Sequence, residues 1–252
     1  MQDLKPSIFV FDIDGTLTKP TQPMDEIIAR WFRDWRRNEV VYFVTGSNWE
    51  KICYQLPPDV LLESAGIFAS SGSQFFRGGQ EILHLRRDWT PGEELIKYFE
   101  SKLAHSKYEY KAGNHLDDRI GMINFSVAGR NSTLEQRARY FEWDILTGER
   151  QAICREAEEK FPELQFHIGG QISIDCYPKG MGKGRAISTI IEWHPEARIV
   201  FIGDKLYPGG NDYPVIANMR VDDVAIQTDG PEDTIKIIKS MNISLKCKET
   251  LL

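Results

Sequence analysis

Cysteine is scarce and scattered in this chain: four thiols, Cys53, Cys154, Cys176 and Cys247, stand among 252 residues with no C-x-x-C spacing. That excludes a zinc knuckle or a disulfide framework as the organising principle and fits a reducing compartment. The five histidines are equally dispersed, so no Cys/His set offers a tetrahedral metal. Long hydrophobic runs are missing too. The start of the chain, with Asp3, Lys5 and Pro6 before a short apolar stretch, reads as neither signal peptide nor membrane span, and a cytoplasmic location is expected. Positive charge is in deficit, at a formal net −6. Neither nucleic acid nor a membrane is therefore expected as a partner. Any phosphate site must be a local basic cluster within an acidic protein.

What is present begins with Ser7-Ile-Phe-Val-Phe-Asp-Ile-Asp-Gly-Thr16. An unbroken apolar run ending in carboxylates predicts a buried central strand whose C-terminal end opens into a site. Strand alternation puts Asp12 and Asp14 on the same side. Two carboxylates so close need a cation or a shared proton, and an all-oxygen pair suits Mg²⁺. A helix N-cap would account for one Asp but poorly for Asp-Ile-Asp-Gly-Thr.

Further along, Asp25–Arg37 predicts a helix with Ile27, Ile28, Trp31, Phe32 and Trp35 on one face. Glu39–Val44 is a second apolar strand, stopping at Thr45-Gly46-Ser47, and Trp49–Leu56 a second helix. Ser132-Thr133-Leu134-Glu135 has capping-box spacing, and Arg150–Phe161 a helical pattern. Gln165–Ile168 and Gln171–Tyr177 form a hairpin about Gly169-Gly170, with Gln171, Ser173, Asp175 and Tyr177 on one face. A helix from Gly184, a third apolar strand Arg198–Ile202 ending in Gly203-Asp204, and a helix from Pro231 complete the pattern. The expected fold is α/β: a doubly wound parallel-sheet core, residues 1–82 and 183–252, with an inserted α+β cap domain, residues 83–182.

Ligands of open parallel sheets sit outside the carboxyl ends of the strands. Asp12, Asp14, Ser47, Lys183 and Asp204 are thus expected to converge. Phosphoryl transfer needs such parts: an oxygen nucleophile, a metal to neutralise charge, and donors on the equatorial oxygens. A P-loop is excluded, since Met181-Gly-Lys-Gly184 lacks both the first glycine and the hydroxyl after the lysine.

Phe11–Thr16 with Thr45-Gly46-Ser47, Lys183 and Gly203-Asp204-Lys205 resembles the haloacid dehalogenase (HAD) superfamily of aspartyl-phosphate enzymes. Within it the chain is similar to the eukaryotic-type phosphomannomutase family, through Arg119–Arg130, Gly169–Asp175, Gly203–Asp212 and Pro231–Thr234. The resemblance covers nearly the whole chain. It implies a HAD-like core and an enzyme interconverting hexose 6-phosphate and hexose 1-phosphate, mannose foremost, with a hexose 1,6-bisphosphate as activator. Asp12 is then the nucleophile and Asp14 the general acid/base. Asp12, the Asp14 carbonyl and Asp204 hold Mg²⁺. Ser47 and Lys183 bind the transferring phosphoryl group, and Asp212 orients the lysine. Arg119, Arg130 and Arg137 grip the distal phosphate, and Ser173 and Asp175 meet the sugar. A homodimer through the cap is also implied.

The chain departs from the family's pattern at three places. Thr21 stands for an arginine, Ser70-Ser71-Gly72 for Glu-Asn-Gly, and Asn218 for an acid at a second, structural cation site. Thr21 removes a core-side phosphate contact, so a sugar-phosphate phosphatase, with water attacking the aspartyl phosphate, is the alternative. A catalytically silent sugar-phosphate binder is the reading from another class, and the joint presence of Asp12, Asp14, Lys183 and Asp204 speaks against it.

Overall fold

The computed structural model describes residues 5–84 and 89–249, the side chains of His84 and of residues 242–249 excepted. The chain opens with β1 (Ser7–Phe11), α1 (Glu26–Trp35), β2 (Val40–Val44), α2 (Trp49–Gln55), α3 (Pro58–Leu62), β3 (Gly66–Ala69) and the hairpin β4 (Gln74–Arg77) and β5 (Gln80–His84). A second set follows: α4 (Glu93–His105), β6 (Leu116–Arg119), β7 (Met122–Phe125), α5 (Leu134–Thr147), α6 (Glu149–Lys160), β8 (Leu164–Gly169) and β9 (Ser173–Pro178). The chain then returns with α7 (Lys183–Trp193), β10 (Arg198–Gly203), α8 (Tyr213–Ile216), β11 (Val224–Gln227) and α9 (Pro231–Glu249).

Two sheets result. One has seven strands in the order β11-β10-β1-β2-β3-β4-β5, parallel from β11 to β3 and antiparallel beyond. Its central strands β10, β1, β2 and β3 are apolar on both faces because helices cover both. Phe9, Phe11, Val41 and Phe43 pack with Ile28 and Phe32 of α1 and Ile238 of α9. Ile8, Val10, Tyr42 and Phe201 pack on the other face with Ala186, Ile187 and Ile190 of α7. The second sheet is antiparallel, in the order β6-β7-β9-β8. Its Ile123, Phe125, Phe166 and Ile174 share a separate core with Phe99 of α4, Tyr140 of α5 and Ile153 of α6. Each such large apolar side chain contributes about 1.5–3 kcal/mol on burial.

Several expectations shift. Ile27 is 78 % exposed, because α1 turns Ile28, Ala29 and Phe32 inward from its Asp25 N-cap. The capping box uses Thr133 and Gln136, not Ser132 and Glu135, since the Ser132 hydroxyl donates to the Ala128 carbonyl. The β4–β5 hairpin, α3 and β6 were not expected. Cys53, Cys154 and Cys176 are free thiols, and the Cys247 side chain lies outside the described residues. No helix among the described residues is long and apolar enough to cross a membrane.

Candidate active site

β10, β1 and β2 lie side by side and end at the same edge, which brings their terminal polar residues together. Asp12 follows β1 directly, and its N–H donates to the Ile202 carbonyl at 3.0 Å, continuing the ladder past the strand. Its Oδ1 accepts from Lys183 Nζ at 2.7 Å, and the same ammonium donates to Asp212 Oδ1 at 2.7 Å. Lys183 is the first residue of α7 and wholly buried, as is Asp212. Burial alone would lower the lysine's pKa, but the Asp12 and Asp212 charges outweigh it and raise it, so the ammonium stays charged. Asp212 is braced on its other oxygen by the Lys205 N–H at 3.0 Å.

Asp12, Asp204 and Asp212 each offer an oxygen within 4.8 Å of the others. Burial pushes the Asp12 carboxyl up, Lys183 pulls it down, and Asp212 and Asp204 push it up again. Asp204 is raised as well, first by burial, although Lys205 contacts it. These carboxylates are short of positive charge, and among the described residues Oδ2 of Asp12 and Oδ1 of Asp204 have no hydrogen-bond partner. An all-oxygen set of this kind fits Mg²⁺. Gly15 makes the approach possible: its φ is +85°, and a Cβ there would stand 2.4 Å from Asp204 Oδ2.

Asp14 lines the same pocket as Asp12, but its carboxylate does not join that cluster. It faces Lys51 and Gln55, one turn apart on α2. Gln55 Nε2 donates to Oδ1 at 2.6 Å, and so does the Thr21 N–H at 2.8 Å. Ser47 Oγ reaches Oδ2 at a long 3.5 Å. Burial would raise Asp14, yet Lys51 and these donors hold it down at about 2, an ionised carboxylate. Thr21 adopts φ 61°, rare for a β-branched residue, so position 21 presents a main-chain donor to Asp14 at a cost in strain.

The second sheet supplies the opposite wall. Arg119, at the end of β6, is clamped by Asp117 (Nε 2.9 Å, Nη2 2.8 Å) and donates to the Gly46 carbonyl at 2.5 Å, next to Ser47. Arg130 donates to Asn124 Oδ1 at 3.0 Å, and Arg137 to the carbonyls of Ser132 and Arg130 at 3.0 and 2.9 Å. Burial lowers both guanidinium groups, and the neighbouring Arg119 helps bring Arg130 to about 10. Crowded, buried cations of this kind are stabilised by an anion. Ser173 and Asp175 of β9 are buried in the same pocket. Asp175 accepts from Asn124 Nδ2 at 2.5 Å, and Gly169 leaves it room, since a Cβ there would lie 2.7 Å from Oδ2. Arg150, paired with Asp144 at 2.8 Å, reaches the carbonyls of Gly169, Gly170 and Ser173 and so holds the turn before β9.

The pocket thus gathers Asp12, Asp14, Ser47, Asp204, Arg119, Arg130, Arg137, Ser173 and Asp175, with Lys183 and Asp212 buried behind Asp12. Sequence reasoning missed Lys51, Gln55, Asp117 and Asn124. Asp117 stood in plain view two residues before Arg119, the spacing that places both on one face of a strand. At Asn218 the side chain accepts from Ser188 Oγ at 2.9 Å and donates to the Pro214 carbonyl at 2.8 Å. An N–H there serves a carbonyl that a cation could otherwise hold.

The family model for eukaryotic phosphomannomutase matches residues 28–244. A phosphomannomutase of Spinacia oleracea is 34 % identical over 239 residues, covering 92 % of this chain and 94 % of its own. One from Saccharomyces cerevisiae is 33 % identical over 241 residues, covering 93 % and 94 %. Among solved structures, a Thermoplasma acidophilum protein superposes with TM-score 0.60 at 17 % identity, over 95 % of this chain and 99 % of its own. An N-terminally truncated IMP-nucleotidase of Plasmodium falciparum gives 0.63 at 14 %, over 94 % and 68 %. At such identities these structures speak for the fold alone, a HAD-like parallel core with an inserted α+β cap.

Proposed function

The chain belongs to the eukaryotic phosphomannomutase family, and from that membership we propose that it interconverts mannose 6-phosphate and mannose 1-phosphate through a phosphorylated Asp12. One observation carries the reading: two sets of unmet charge face each other across one pocket. Carboxylates short of a cation stand at the strand ends, and guanidinium groups short of an anion stand opposite. A substrate with a phosphate at each end, as a hexose bisphosphate has, answers both.

In this reading residues 1–82 and 183–252 do the chemistry and residues 83–182 form the cap. Asp12 attacks a phosphorus, and Lys183, anchored by Asp212, holds the transferring group with Ser47. Asp14, whose carboxyl Lys51 and its hydrogen-bond donors hold low, takes the proton of the attacking sugar hydroxyl and returns it to the leaving oxygen in the reverse step. Asp12, Asp204 and the Asp14 carbonyl would hold Mg²⁺, which when bound offsets charge on the phosphoryl oxygens. Arg119, Arg130 and Arg137 hold the distal phosphate, a task their fork suits. Ser173 and Asp175 face the sugar. A hexose 1,6-bisphosphate primes Asp12. We further place the enzyme in the cytoplasm and make it a homodimer through the cap, the dimer being supported by Leu134, Phe141, Ile145 and Leu146, all exposed on α5.

The hydrolase alternative has less support, since a monophosphate hydrolase has little use for a second cationic wall. The test is to supply mannose 1-phosphate, a trace of glucose 1,6-bisphosphate and Mg²⁺, and to measure 6-phosphate and free phosphate separately. Formation of 6-phosphate well ahead of free phosphate is expected. Free phosphate alone would overturn the mutase reading.

A further inference from the structure

Lys51 enters the pocket from the first turn of α2, where the two walls of the site meet. Its main chain is fixed, because its N–H donates to the N-cap side chain of Asn48 at 3.0 Å. Its Nζ contacts Asp14, the one acceptor it has among the described residues. An ammonium has three N–H donors, so two are left without a protein acceptor. The side chain is 22 % exposed, and it lines the pocket that Arg119, Arg130 and Arg137 line.

The other pocket cations are differently placed. Arg119 is clamped by Asp117 and Gly46, Arg130 by Asn124, and Arg137 by two carbonyls. Lys183 is committed to Asp12 and Asp212, and Lys205 to Asp204. Lys51 likewise has one acceptor among the described residues, Asp14, and its open side faces the like charges of Arg119 and Arg130. Burial, and beyond the opposing pull of Asp14 the charges of Arg119 and Arg130, weaken its hold on its proton. Position 21 brings no cation to this spot, only the N–H given to Asp14. Asp14 also keeps the Gln55 and Thr21 donors, so Lys51 can turn toward a ligand without stranding the carboxylate.

We propose that Lys51 is a substrate-binding residue whose ammonium takes a phosphate oxygen of the sugar phosphate at the seam between Asp14 and the cap arginines. The inference rests on the phosphosugar reading above and adds to it a core-side phosphate ligand.

The test separates contact with phosphate from an effect through Asp14. Calorimetric titration with mannose 1-phosphate in the presence of Mg²⁺ is run on wild type, Asp14→Asn, Asp14→Asn/Lys51→Met and Asp14→Asn/Lys51→Arg. Removing the Asp14 charge first means that an effect of Lys51→Met cannot be relayed through the Asp14 carboxylate. A charge-assisted bond to phosphate is lost in the Met variant, so its affinity should fall about 10- to 100-fold below Asp14→Asn alone. The Arg variant should recover most of that loss. Lys51→Gln in the same background gives the same comparison should the Met variant fail to fold. Equal affinities with and without the lysine, in an active mutase, overturn the proposal for Lys51 and leave the function standing. A lysine-dependent affinity in a protein that releases only free phosphate retires the mutase reading and leaves Lys51 as the ligand. A wild type that binds no hexose phosphate overturns both.

Discussion

The two walls of the pocket are built from opposite materials. On the core side, charge is negative and gathered at the ends of adjacent parallel strands, with a buried lysine as its brace. On the cap side, charge is positive and comes from a strand end, a loop and a helix, braced by Asp117, Asn124 and main-chain carbonyls. In the proposed reading the first design fixes a reacting atom, on a strand end bonded on both sides, and the second grips a group that does not react, through long side chains on a separate hydrophobic core. A mutase gains from this division, since either end of its substrate must be able to face Asp12.

The sharpest way to break the comparison is at Asp12. Asp12→Asn is nearly isosteric but removes the proposed nucleophile and one of the proposed metal ligands. Turnover of every phosphoester should fall by at least about three powers of ten, with unfolding midpoint and circular dichroism close to wild type. A phosphoryl group trapped on any residue but Asp12 would overturn the assignment.

Metal removal probes the same wall. Exhaustive chelation should abolish turnover, and Mg²⁺ should restore it, because the three carboxylates offer only oxygen and have two ammonium groups between them. Zinc should not replace it structurally, since no Cys/His cluster among the described residues could hold a tetrahedral ion. Full activity in a chelated, metal-free sample would contradict the site.

These two walls were not equally legible in the sequence. Asp12 and Asp204 could be read because each ends an unbroken apolar strand, a pattern that only a buried parallel sheet with a site at its edge requires. Lys51 could not, since its bond joins a helix to a turn 37 residues away, and no local period records that. β6 was missed because Leu116-Asp117-Asp118-Arg119 is mostly polar and braces arginines rather than filling a core. The β4–β5 hairpin was hidden by an irregularity between Phe75 and Phe76 that breaks the two-residue alternation. Arg119, Arg130 and Arg137 on their own read as solvated surface, and it was the family resemblance that marked them.

Each wall also has a buried ion pair, and these should behave differently. Lys183–Asp212 stands behind Asp12 and is assigned to the chemistry in the proposed reading, whereas Asp144–Arg150 holds the turn before β9. Arg150→Ala strands a buried Asp144 and should cost about 3–5 kcal/mol of stability, read as a lower unfolding midpoint in denaturant. At a temperature where the variant is still folded, hydrolysis of a small phosphoester should persist, because Asp12 and Lys183 sit on the other core.

The smallest expected effect is the most telling about the division of labour. Among the described residues the hydrogen bonds of Arg137 all go to carbonyls within the cap, and the Asp14 charge alone reaches it from the core, unlike Arg119, which bonds to Gly46. Its loss therefore removes a grip on the distal phosphate without untying the two walls. Interactions with a non-reacting group serve to position the substrate and favour closure over it. A charge-assisted bond of this sort is worth about 1.5–3 kcal/mol. Arg137→Ala should thus lower kcat/KM for mannose 1-phosphate by roughly one to two powers of ten. p-Nitrophenyl phosphate has no second phosphate to hold, so its slow hydrolysis should change by less than about threefold. Arg137→Lys keeps the charge but not the fork and should fall between the two. Equal losses on both substrates would move Arg137 from the distal grip to the transferring phosphate, and the two walls could no longer be assigned separate tasks.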